Sequence, residues 1–522
     1  MAVADDRSEV VPDDLVADIA AAEAREAGDA AGPPAGTGDA AGPSGPGPAT
    51  RRAARNAAAV AVAEVAGKVA TLAYTVAAAR TLGPSDFGLF AYAVSFSMLV
   101  ATLPSWGFDP LLVQRGSAEP KRLPALLSET LAWRTAISVP VFVAAGIAGV
   151  ALRPGARSTA TLLLVLAASM VDVYGDAGRS AAAARQRQVG VSLALVAQRL
   201  VTACLAIGAL VAGFGLVGLA VSYLAGSLVG LVAVTRTIRG LGVRLTTRGV
   251  TRQGLLLTGK LSLAIGVDAV LSLALFRIDQ VMLAVMKGNE ATGIYAASYR
   301  LLETVLFLSW AVSRAVLPSM AASSDPARVR RGLEQGVAAL AILYVPFGVG
   351  LWVEARPVLH LLYGADYAAA GTAAARWLAA SPILFAVAYL GSYGLLARNR
   401  RWRIVVSTVA ATAFNVGLNL VLIPHLAGTG AAIATTTAYG LEAAVTLVLL
   451  VPDIGWARLD RALALPAAAA AVMAAVLVMV HAGVALEVPL GVAVYAAAWF
   501  LLARRWARDH LDVMRSVIPW RR

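Results

Sequence analysis

The chain has 522 residues, of which 59% are hydrophobic and only 14% charged, with a mean hydropathy of +0.73. Soluble domains sit nearer half apolar and a quarter charged, and their cores stop growing well below this length, so one large soluble core is excluded. The net charge of +13 is unevenly spread: residues 1–50 hold 10 acidic and 2 basic residues, leaving 42 basic and 21 acidic in the remainder.

Residues 1–50 are rich in Ala, Gly, Pro and Asp. They lack the apolar residues needed to offset chain entropy, and the expectation is a disordered acidic tail. They also lack the charged-apolar-cleavage order of a signal peptide. From Arg51 onward, apolar runs of membrane-spanning length recur. Roughly fourteen spans are expected, at 57–79, 88–106, 126–152, 158–177, 190–213, 215–235, 261–286, 292–317, 335–356, 370–396, 404–424, 428–451, 462–482 and 485–503.

The loops between these spans alternate in charge. Basic residues precede span one (Arg51, Arg52, Arg55) and follow spans two (Arg115, Lys121, Arg122), four (Arg179, Arg185, Arg187), six (Arg236, Arg239, Arg244) and ten (Arg398, Arg400, Arg401, Arg403). The alternate loops are nearly bare, with Arg356 and Arg376 as the main exceptions. Under the positive-inside rule this pattern predicts an even number of spans with both termini cytoplasmic, in the cell membrane. Basic residues placed in short loops point to lipid headgroups and topology rather than to nucleic acid. The single cysteine, Cys204, lies in an apolar run and reads as a small filler.

A short turn occurs twice. Residues 79–96 read ARTLGPSDFGLFAYAVSF and 286–303 read MKGNEATGIYAASYRLLE. Gly83 and Gly88 are spaced as Gly288 and Gly293 are, with Phe90 and Tyr295 each two places further on. The basic stretch 239–260 lies between the copies and reads as an amphipathic linker. The expected organisation is therefore an N-lobe over 51–238, a linker at 239–260, a C-lobe over 261–454, and a C-terminal helix pair with a basic tail over 455–522. Even span numbers make the two repeats run in the same sense, which fits lobes related by an axis along the membrane normal.

No phosphate-binding GxxxxGK[ST] loop, HExxH or CxxC occurs, so no enzyme, metal or cofactor chemistry is indicated. Charges inside spans carry the information, because burying them in hydrocarbon is costly. Glu64 and Lys68 share a helix face at i,i+4. Lys68, Arg134, Arg199 and Arg277 are the candidates for a cationic cavity. Guanidinium forks match phosphate oxygens, and an anionic headgroup must cross about 30 Å of hydrocarbon. Glu64, Asp268 and Asp279 are candidates for binding a proton or Na⁺. Arg277 and Asp279, at i,i+2, are expected to serve different partners. Glu129, Asp172, Asp176, Arg300 and Arg314 are read as lying near helix ends and snorkelling to water. Asn415 and Asn419 are assigned to packing.

The stretches AARTLGPSDFGLFAYAVSF and GFDPLLVQRGS resemble the first two helices of oligosaccharide flippases. These form the polysaccharide-transporter branch of the multidrug/oligosaccharidyl-lipid/polysaccharide exporter superfamily. FRIDQVMLAVMKGNEATGIYAASYRLLE resembles the opening of that family's second lobe. LHLLYGADYAAAGTAAARWLA and FNVGLNLVLIPHLAGTGAAIATTTAYGLEA resemble its ninth-to-tenth turn and its eleventh and twelfth helices. The likeness covers roughly 55–450 and carries over Gly83, Gly88, Asp279, Gly288, Gly293 and Tyr295. It implies an all-α membrane protein of two six-helix lobes around a central cavity. It further implies alternating-access movement of a polyprenyl-(pyro)phosphate-linked glycan to the outer leaflet, with glycosyltransferases or a glycan polymerase as partners. A lipid II flippase and a cation-coupled drug exporter of the same superfamily are the alternatives. A membrane glycan polymerase is disfavoured because every outer loop is short.

Overall fold

The computed structural model describes residues 48–152, 155–246, 250–321, 325–480 and 482–506, with side chains from Val65 onward apart from a few positions within helices. The acidic tail at 1–47 and the basic tail at 507–522 lie outside the described residues. The chain divides into Met1–Ala57 and Ala58–Arg522, and the account below concerns the second unit.

The described residues are helical throughout, without strands. The helices are α1 (Pro48–Ser105), α2 (Phe108–Ala118), α3 (Leu123–Leu152), α4 (Ala156–Ala184), α5 (Gln188–Val211), α6 (Gly215–Gly240), α7 (Arg252–Lys287), α8 (Asn289–Ala321), α9 (Pro326–Tyr363), α10 (Ala365–Leu378), α11 (Ser381–Ala397), α12 (Arg401–Ile454), α13 (Leu459–Met479) and α14 (Val484–Trp506). Among the described residues, eleven helical runs are long and apolar enough to cross a membrane. Two of these contain non-helical reversals. Gly83 (φ 73°) divides α1 into α1a (48–82) and α1b (84–105). Ala427 (φ 47°) divides α12 into α12a (401–426) and α12b (428–454). With these reversals and with α8, the chain is consistent with the expected number of passes.

Most observed helices overrun the expected spans by a few residues at each end, because a hydropathy pattern ends at the hydrocarbon boundary while backbone hydrogen bonding continues beyond it. The largest overrun is α9, 38 residues long against an expected span of 335–356. Helix α7 begins at Arg252, inside the expected linker. Residues 241–246 of that linker fold back on the N-lobe: Val243 is buried, and the Thr246 amide donates to Ser128 Oγ at 3.0 Å. The short α2 had no counterpart among the expected spans. It starts after Trp106 and Gly107, whose positive φ angles of 30° and 68° break the helix and turn the chain.

Large apolar side chains lie exposed around the outside, among them Ile147, Val211, Val221, Leu228 and Met479. In water such a surface would aggregate, and in a bilayer it meets lipid tails. Cys204 is on this exposed surface and fills no core gap. The chain is a multi-pass membrane protein. Close packing within lobes relies on small residues: a Cβ at Gly226 would come within 1.8 Å of Thr202 Oγ1, and one at Gly178 within 2.4 Å of Val234 Cγ1. Helices α13 and α14 pack on each other and against α9 through Met473, Tyr495 and Trp499, with Tyr495 Oη donating to the Ile342 carbonyl at 2.8 Å.

The two copies of the repeated turn pack directly on one another. A Cβ on Gly88 would stand 1.8 Å from the Asn289 carbonyl oxygen, and one on Gly293 would stand 2.0 Å from the Pro84 carbonyl oxygen. The contact is reciprocal, since each glycine faces the start of the helix that carries the other. Such isologous pairing is what a two-fold relation between lobes produces. Gly83 (φ 73°) and Gly288 (φ 90°) supply the left-handed reversals in front of these helices.

Candidate translocation cavity

At the face carrying the repeated turns, the lobes are sealed against each other. Besides the glycine contact, Arg80 of α1a donates from Nε to the Leu362 carbonyl at 2.8 Å and from a terminal nitrogen to the Leu361 carbonyl at 2.5 Å. These carbonyls end α9, where they have no helical partner and the helix dipole favours a cation. Tyr367 Oη donates to the Ala79 carbonyl at 3.0 Å, and its ring meets Phe87 edge-on at 6.3 Å. One layer deeper, Ser95 Oγ donates to Gln280 Oε1 at 2.7 Å.

Away from the turns the lobes keep two seams. In one, Trp133 Nε1 of α3 donates to the Leu255 carbonyl of α7 at 3.0 Å, and Thr258 Oγ1 donates to Glu129 Oε2 at 3.0 Å. In the other, the Lys68 ammonium of α1a sits 5.9 Å above the Trp310 ring of α8. Between the seams lies a cavity of about 590 Å³, lined from both lobes. At 1.5 Å rise per residue, Arg277 and Arg300 lie about 16 Å along their helices from the repeated turns, Lys68 about 22 Å and Asp268 about 30 Å. The cavity thus runs from mid-membrane towards the face opposite the turns.

Its basic part holds Lys68 and Arg199 from the N-lobe and Arg277 and Arg300 from the C-lobe. Glu303 bridges the two C-lobe guanidinia, with Oε1 2.5 Å from Arg277 and Oε2 2.6 Å from Arg300. Arg277 also lies over the Phe276 ring, at 4.9 Å from its centre. A second group on the same wall is acidic and aromatic: Asp268, Glu442, Phe385 and Tyr389. Thr408 Oγ1 donates to Asp268 at 3.1 Å, and Phe385 and Tyr389 stack at 5.4 Å. The lining therefore pairs four cations with three carboxylates, and basic character is confined to one end instead of filling the whole volume.

The structure brings together three of the four residues expected to form the cationic site: Lys68, Arg199 and Arg277. Arg134 stands apart. It is fully buried, with a terminal nitrogen 2.7 Å from Asp109 and another donating to the Val173 carbonyl. Ser180 Oγ completes the Asp109 shell at 2.9 Å, so the Arg134 charge is spent inside the N-lobe.

Of the residues singled out for ion coupling, Asp268 lines the cavity. Asp279 is fully buried behind the wall. It accepts from the Gln280 amide at 2.7 Å, from Thr435 Oγ1 at 3.0 Å and from Tyr295 Oη. Arg277 and Asp279 do serve different partners. The Glu64 and Arg314 side chains lie outside the described residues. Asn415 and Asn419 are buried and hydrogen-bonded to each other at 2.9 Å.

Several residues read as snorkelling take other places. Arg300 enters the cavity, because α8 starts at Asn289 and puts it three turns from the helix end. Glu129 is fully buried in a seam. Asp172 accepts from Gln198 Nε2 at 2.8 Å within the N-lobe. Asp176 lies about two turns before the end of α4, with its side chain part-exposed and paired with Arg179 at 2.5 Å. From sequence Glu303 stands out as a charge inside span eight, beside Arg300 and Arg314, but carries no role there. The i,i+3 spacing of Arg300 and Glu303 is the signal that joins them, and Glu442 carries the general signal of a charge well inside a span, 428–451.

Comparison with solved structures places this architecture. The lipid II flippase MurJ in its inward closed conformation superposes with a TM-score of 0.73 at 13% identity, covering 85% of this chain and 98% of that one. An inward-facing multidrug resistance MATE family transporter of the MOP superfamily gives 0.61 at 15% identity, covering 76% and 96%. A MOP superfamily transporter from Pyrococcus furiosus, described as having a binding pocket of reverse polarity, gives 0.58 at 15% identity, covering 76% and 95%. At these identities the likeness establishes the fold. No curated protein matches the chain in sequence. The family described as "Polysaccharide biosynthesis protein" matches residues 77–371, more than half of the chain and the whole path from the repeated turn of the first lobe through that of the second. With the two-lobed fold of MurJ and the MATE transporters, the chain belongs to the polysaccharide biosynthesis protein family.

Proposed function

We propose that this protein is a lipid-linked oligosaccharide flippase. It moves a polyprenyl-(pyro)phosphate-linked glycan from the cytoplasmic to the outer leaflet by alternating access, for export of cell-surface polysaccharide. The observation that carries this reading is the group Lys68, Arg199, Arg277 and Arg300, drawn from both lobes into one cavity at mid-membrane. Cations held in low dielectric favour an anionic headgroup, and guanidinia present forks to phosphate oxygens. The acidic and aromatic wall suits the other half of such a substrate: Asp268 and Glu442 offer acceptors to sugar hydroxyls, and Phe385, Tyr389 and Trp310 offer ring faces. With the basic loops cytoplasmic, the sealed turns face outward and the cavity faces the cytoplasm, ready to load. Both termini are then cytoplasmic.

Asp268, and Asp279 with Thr435 and Tyr295, are the proposed places for a coupling proton or Na⁺. The carboxylate pair on the cavity wall also keeps a second reading open, that of a cation-coupled exporter of the same superfamily, and MurJ-like lipid II transport is the third. The test is reconstitution. Arg199→Ala with Arg277→Ala is expected to abolish translocation of a fluorescent polyprenyl-diphosphate glycan while the protein still folds, and full activity in the double variant would sink the proposal.

A further inference from the structure

The two C-lobe guanidinia of the cavity are already occupied. Glu303 gives one carboxylate oxygen to Arg277 and the other to Arg300, and its side chain is only 10% exposed. Each carboxylate oxygen therefore faces a different arginine. The bridge spans two helices, because Arg277 is on α7 while Arg300 and Glu303 are one turn apart on α8. Lys68, from the opposite lobe, lies within electrostatic reach of the same carboxylate. Without Glu303 the lining would hold four cations against two carboxylates, Asp268 and Glu442, and the basic end would repel itself. A phosphate bound by both arginines would compete with Glu303 for the Arg277 and Arg300 terminal nitrogens that it now holds.

Resting on the phosphate-binding reading above, we propose that Glu303 is a resident counter-anion that the substrate phosphate displaces. In the empty carrier it offsets one of the two charges of Arg277 and Arg300 and leaves each guanidinium with an ion partner while the lobes reorient, since stranding them without one would be costly. On loading, the guanidinia turn to phosphate oxygens and the carboxylate swings to Lys68. No bond is made or broken, and the exchange is one of ion partners only. Glu303 therefore weakens substrate binding and speeds the empty return. This is the opposite of what a residue that merely holds the site in shape would do.

The test uses the full-length chain in proteoliposomes with inorganic pyrophosphate as the probe for binding. Glu303→Gln keeps the shape and removes the charge. If the carboxylate occupies the guanidinia about nine-tenths of the time, pyrophosphate affinity in this variant rises about tenfold. Translocation should show a lowered apparent KM together with a lowered kcat, since the return step loses its counter-anion. Glu303→Asp, whose shorter side chain reaches one arginine at a time, should fall between wild type and Glu303→Gln. It also provides a second reading if the Gln variant is poorly folded. Unchanged or weakened pyrophosphate affinity in Glu303→Gln, with Arg277→Ala losing it, overturns the counter-anion and leaves the phosphate reading standing. Absence of pyrophosphate binding by both wild type and Glu303→Gln overturns the two together.

Discussion

The two ends of the lobe interface are built from the same helices and behave oppositely. Near the repeated turns, α1b and α8 touch backbone to backbone through Gly88 and Gly293, while the Asp86–Arg157 ion pair beside them stays within the N-lobe. Half a membrane deeper, α1a, α7 and α8 diverge around a cavity holding Lys68, Arg277, Arg300 and Glu303. The sealed end depends on the absence of side chains. The open end depends on charges that have to be paired while it is empty. An alternating-access carrier needs this asymmetry: a seal that can come apart without stranding buried ions, and a site whose charge persists when the seal is broken.

The most severe way to break the comparison is to give the seal a side chain. A Cβ at Gly88 has 1.8 Å to the Asn289 carbonyl oxygen, and backbone cannot yield as a flexible side chain does. Gly88→Leu is expected to cost the sealed state about 3 kcal/mol or more. Cysteines engineered at the turn face should become labelled by impermeant reagents in a background lacking Cys204, and transport should fail. Unchanged labelling would mean that the glycine contact does not hold the face shut.

A smaller effect separates buried charge that serves structure from buried charge that serves the cavity. Arg134→Ala leaves Asp109 without its ion partner and is expected to destabilise the fold by about 3 kcal/mol. The thermal midpoint should drop while pyrophosphate affinity in the surviving folded protein stays at the wild-type value. A loss of affinity matching that of Arg277→Ala would return Arg134 to the binding machinery. The smallest effect is expected from Arg80→Ala. Arg80 is exposed, so its two bonds to the end of α9 contribute at most about 1 kcal/mol. The change should appear as a several-fold shift towards the outward-open state in labelling assays, with no change in thermal midpoint. A shift as large as that of Gly88→Leu would move the weight of the seal from the glycines to Arg80.

Hydropathy alone was enough for the helical membrane class and for nearly every pass, because a bilayer allows few other solutions for a spanning backbone. The repeated glycine spacing likewise disclosed the duplicated lobes before any contact was known. Inference from sequence was weakest for partners of charge. Arg277, Arg134 and Arg199 look alike as lone cations in apolar runs, yet one lines the cavity bridged to Glu303, one is neutralised by Asp109, and one reaches the cavity beside Gly67. Arg300 reads as near a helix end from sequence, because hydropathy starts α8 later than its hydrogen bonding does.

Periodicity along one chain therefore determined that the chain crosses the membrane many times, and spacing pointed to a turn used twice. Tertiary structure decided that the two turns close on each other and that Glu303 stands between two arginines. The physical reason is range. Burial in a bilayer acts on each segment independently and is written locally in its residues, whereas ion pairing and close backbone approach depend on which helices meet, and that is set only once both lobes are assembled.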